Sequence, residues 1–99
     1  MNKMHTPQAT LAHYVAELLE PISERLEIAY WENVAYVNSR RGDVWVRIFI
    51  HNNTSDRRHC HVDRGGGDVP DEKLLEGGDD KALIDTVQHI FNLEQERAA

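Results

Sequence analysis

Cysteine is almost missing from this chain. Cys60 stands alone, so no internal disulfide can staple the fold, and a lone thiol fits a reducing compartment. Long apolar runs are missing too. No stretch approaches the roughly 20 residues of a membrane-spanning helix, and the first residues carry no apolar signal core. The expected location is therefore cytoplasmic. Positive charge is in deficit, with 11 Lys and Arg against 17 Asp and Glu and a formal net charge of −6. That balance disfavours general attraction to nucleic acid or an anionic membrane. Catalytic motifs are absent as well. Ser23, Ser39 and Ser55 lack a nucleophile elbow. Cys60 sits between His59 and His61, but neighbours on a strand point to opposite faces and cannot form a Cys/His pair. Gly65-Gly66-Gly67 is not followed by the Lys-Ser or Lys-Thr of a phosphate loop. The expectation is a protein that is not an enzyme.

What is present is β-rich and charged unevenly. Asp43 to His51 alternates, yet carries large apolar groups on both faces. Val44, Val46, Ile48 and Ile50 point one way, and Trp45 and Phe49 the other. Six arginines fall between Arg40 and Arg64 against only Asp43, Asp56 and Asp63, so the middle is basic and the flanks are acidic.

Ninety-nine residues suit one domain, 1–99, with residues 1–5 and 96–99 expected to fray. Thr6 caps and Pro7 opens a first helix. Leu11, Val15, Leu18, Ile22 and Leu26 recur at helical spacing, which predicts one helix over 7–27, kinked between Glu17 and Pro21. Two helices broken at Glu20 are the alternative. Strands are predicted over 33–39, 43–51 and 58–63, with Gly42 supplying the positive φ of a bulged hairpin turn and 52–56 a polar loop. Residues 68–76 read as a turn or two of helix stopped by Gly77-Gly78. Asp79 caps a final helix with an apolar side of Leu83, Ile84, Val87, Ile90 and Phe91. The predicted fold is α+β, a three-stranded antiparallel β-meander with two helices on one face, in the order α-β-β-β-α.

Burial sets the register. If Cys60 and Val62 join Ile48 and Ile50 in the core, His51 faces His59, Phe49 faces His61 and Arg47 faces Asp63. The face away from the helices would then present Trp45, Arg47, Phe49, His51, His59 and His61, with Tyr36 or Val37 beside them. Exposed aromatics with arginine are common interface anchors, unless residues 64–78 fold back over them.

Three further constellations are readable. His51, His59 and His61 converge at a hairpin end and could ligate zinc or another transition metal, although a fourth ligand is lacking. Arg40, Arg41 and Arg64 meet near the glycine run, and with Arg57 and Arg58 could hold an anion or nucleic acid. Glu17, Glu20, Glu24 and Glu27 lie opposite the apolar stripe of the first helix, where an acidic row could imitate phosphates. Two local matches are explained otherwise. Arg41-Gly42-Asp43 is hairpin chemistry, and the glycosylation acceptors at Asn52 and Asn53 are irrelevant without secretion.

Small, acidic, motif-free α+β chains are frequent among phage and mobile-element accessory proteins, anti-defence factors included. By that analogy of type the expected function is a non-enzymatic protein-binding module, such as a small inhibitor. Its partner would be another protein, or a second copy forming a homodimer through the sheet face. Trp45 and Phe49 would anchor and Arg47 orient. Metal binding by the histidines and nucleic-acid binding by the arginines are the alternatives.

Overall fold

The computed structural model describes residues 7–52 and 58–98, with the side chains of residues 7, 8, 52, 58 and 98 outside that description. Its order is α1 (Pro7–Leu19), a 3-10 turn (Glu20–Ile22), β1 (Arg25–Trp31), β2 (Val34–Arg41), β3 (Val44–Asn52), β4 (Arg58–Gly66), β5 (Val69–Gly78) and α2 (Asp80–Ala98). The class is α+β, with an antiparallel sheet and two helices. The sheet has five strands in chain order rather than three.

The two added strands replace predicted helix. α1 stops at Leu19, and Pro21 sits within the 3-10 turn, because its ring blocks the next helical turn. From Arg25 the period changes from 3.6 to 2. Leu26 and Ile28 are half-buried, while Arg25, Glu27 and Ala29 are exposed. Ser23 fastens the exit from the helix. Its Oγ donates to the Leu19 carbonyl at 2.6 Å and lies 2.5 Å from Ser39 Oγ. With its one proton spent on Leu19, Ser23 must accept from Ser39. Residues 69–78 form β5, which pairs with β4 through three register shifts. They lengthen the sheet instead of covering it.

The first two hairpin turns contain two residues each. Glu32-Asn33 joins β1 to β2 in unbroken register from Trp31↔Val34, and Glu32 has φ +52°. Gly42-Asp43 joins β2 to β3 from Arg41↔Val44. Gly42 has φ +59°, as a tight turn requires, but no bulge accompanies it. Glu24 braces this turn: the Gly42 N–H donates to its carboxylate at 3.0 Å.

Both helices pack on one sheet face. The core joins Leu11, Val15 and Leu19 of α1, Leu83, Val87 and Ile90 of α2, and Val37, Val46, Ile48, Ile50, Cys60 and Val62 of the sheet. α2 begins as the sequence indicates, with Asp79 Oδ1 accepting from the Ala82 N–H at 2.9 Å. Its far end is tied down by charge. Arg64 points to the helix side and pairs with Glu94, which also accepts from Arg97 at 3.1 Å. Arg97 reaches Asp68 at 2.7 Å. No helix among the described residues is long and apolar enough to cross a membrane.

Candidate functional site: the open sheet face

The expected register is the observed one. His51 faces His59, Phe49 faces His61, and Arg47 faces Asp63. Strand alternation therefore sends Trp45, Arg47, Phe49 and His51 away from the helices, and β2 adds Tyr36. Val37 points the other way and is fully buried.

Trp45 has a built seat. A Cβ on Gly65 would lie 2.8 Å from Trp45 Cζ2, and one on Gly66 would lie 2.9 Å from Trp45 Cδ1. The indole thus lies close over β4, where a Cβ would also meet Asp71 Oδ1 at Gly65 and the Asp43 carbonyl oxygen at Gly66. The Arg47 guanidinium stacks on the same ring, 4.3 Å from its centroid, a cation–π contact. Arg47 therefore makes no ion pair with Asp63 despite standing opposite it, and Asp63 Oδ1 is buried without a hydrogen-bond partner.

A basic basin adjoins this stack. Arg25 and Arg40 are direct cross-strand partners, and Arg40 faces Trp45 in turn. Arg25, Arg40, Arg47 and Trp45 line one shallow depression, with Glu27 at its side. Sequence reasoning missed Arg25, because it lay in the stretch read as helix. Its alternation with Leu26 and Ile28 was the available signal.

Aromatic rings continue along the face. Tyr36 meets Phe49 edge to face at 5.2 Å, and His51 meets His61 likewise at 5.4 Å. Burial holds the His51 pKa below its ordinary value, and the charges of His61 and His59 push the same way. Among the described residues, no group of three or more His, Cys, Asp or Glu side chains is arranged to hold a metal ion.

The remaining constellations are dispersed. Arg40 lies on the open face, whereas Arg41 and Arg64 belong to the helix side, since Arg41↔Val44 and Val46↔Arg64 are register partners of core residues. Arg64 is buried against Glu94. Arg57, the side chain of Arg58, the cap at Thr6 and most of the 52–56 loop lie outside the described residues. The acidic row is broken as well. Glu17 is on α1, Glu20 in the 3-10 turn, Glu24 under the hairpin and Glu27 on the open face of β1. Glu17, Glu20 and Glu24 do border a common groove between α1 and β1.

Compared with protein-family models, curated proteins and solved structures, the chain matches none.

Proposed function

We propose that the chain is a non-enzymatic protein-binding module whose open sheet face takes an acidic segment of another protein. The observation that carries this reading is the placement of β5. Residues 69–78 extend the sheet, so no described element lies over Trp45, Tyr36 and Phe49, whose rings are half-buried among their sheet neighbours. Charge complementarity selects the partner. Arg25, Arg40 and Arg47 border the Trp45 ring, and none of them has a carboxylate partner among the described residues. Two like charges facing each other across a strand pair repel, and an incoming carboxylate relieves that repulsion. Trp45 and Phe49 supply apolar area, and Arg47 fixes the orientation of the ring it covers.

The test is capture of partners from the native host, followed by affinity measurements with variants. Trp45→Ala is expected to weaken binding by about 2 kcal/mol, roughly thirty-fold, as central tryptophans do. Arg47→Ala acts in the same direction without disturbing the core, since Arg47 is exposed. Circular dichroism accompanies both. A Trp45→Ala protein that is unfolded would make the ring a structural element and remove the anchor. Unchanged affinity in both folded variants would move the interface off this face.

A further inference from the structure

We infer that two copies of this chain join edge to edge along β1, continuing the sheet across a twofold axis. The contact uses the edge of β1 and does not rest on the reading of the open face, although Arg25 borders both surfaces.

The two sheet edges are built differently. β5 carries Pro70, the charged run Asp71-Glu72-Lys73 and three breaks in register. Each of these deters a free edge from recruiting another strand. β1 has fewer such devices, with Arg25 and Glu27 as its only charges. Its seven residues, Arg-Leu-Glu-Ile-Ala-Tyr-Trp, pair with β2 in unbroken register and contain no proline, glycine or lysine. Among the described residues nothing pairs with its outer edge. Among the described residues, the large hydrophobic side chains left exposed are Tyr14, Tyr30 and Trp31, two of them at the end of this strand. Tyr14 lies on α1, which packs against β1 and β2.

The strand is also self-complementary. Opposed residues of an antiparallel pair point to the same face, so a twofold pairing must match positions of equal parity. Centring on Glu27 sets two carboxylates against each other, which is unfavourable. Centring on Ala29 sets Glu27 against an indole and pushes Arg25 and Leu26 beyond the strand. Centring on Ile28 uses all seven residues. Ile28 then meets its own copy, Leu26 meets the second copy's Tyr30, and Arg25 meets the second copy's Trp31. The first two contacts extend the apolar helix-side layer. The third repeats between copies the guanidinium–indole stack that Arg47 and Trp45 make within one. Glu27 falls opposite the second copy's Ala29. The carboxylates of Glu17, Glu20 and Glu24 border the same edge and limit affinity, so association depends on concentration.

Sedimentation equilibrium of the full chain from micromolar to millimolar concentration tests this. Ala29 is exposed, so substitutions there leave the fold intact. The wild type is expected to dimerise. Ala29→Glu, facing Glu27 twice per dimer, is expected to raise the dissociation constant roughly three- to ten-fold, and Ala29→Lys to lower it by a similar factor. Glu27→Lys combined with Ala29→Glu restores an opposite-charge pair and is expected to lower the constant below the wild-type value, as Ala29→Lys does. Trp45→Ala leaves the dimer unchanged. A monomer at every concentration overturns the inference. So does a dimer that both Ala29 variants shift alike or not at all, or one that Trp45→Ala dissociates; the last result places self-association on the open face.

Discussion

Glu94 lies near the end of α2, where side chains usually face water, yet it is only 3% exposed. It is held there by Arg64 from the sheet and Arg97 from its own helix. Removing one partner of a buried pair strands the other charge. Glu94→Ala is therefore expected to cost about 3–5 kcal/mol, seen as a lower urea midpoint with an unchanged slope. Sequence reading could not find this pair, because thirty positions separate its members. Arg64 followed a basic stretch and preceded three glycines, a context that suggests solvent. The alternation from Cys60 and Val62 is the one local signal that turns it toward the core. Trp45 was the opposite case. Its face followed from counting along one strand, but its seat on Gly65 and Gly66 required knowing which strand lay beside it.

At the scale of elements, legibility tracked local periodicity. β3, β4 and α2 carry clean period-2 or 3.6 patterns and stand close to where the sequence places them. β1 was lost because Ile22 to Leu26 keeps a helical step while Leu26 to Ile28 begins an extended one. Both periods fit Leu26, and Pro21 is compatible in sequence with either a kink or a stop. β5 offers little periodicity at all: Val69-Pro70-Asp71-Glu72-Lys73-Leu74-Leu75 reaches strand form through pairing with β4, against its own propensity. The β1–β2 turn holds a different tension. Glu32 occupies the left-handed region, which disfavours a side chain with a Cβ. Glu32→Gly relieves about 1–2 kcal/mol of strain and gives back up to about 1 kcal/mol of unfolded-chain entropy. The expected net is a gain of about half to one kcal/mol, read from the denaturation midpoint.

Across the whole molecule, helices from the two ends of the chain share one side of a meander whose strands follow each other in order. The meander is local in sequence, and its hairpins can form as their residues appear. The roof is another matter. Half of it, α2, is the last of these elements to leave the ribosome. Until then Cys60, Val62 and Leu75 have no helix above them on that half of the sheet. Such a nascent sheet exposes a greasy side and is prone to clump. A chain stopped after Gly78 is expected in the insoluble fraction of an expression trial while the full chain stays in the supernatant. Co-translational folding of the sheet is thus gated by the arrival of α2 (Asp80–Ala98), and truncation before it yields a sticky by-product instead of a weakened protein.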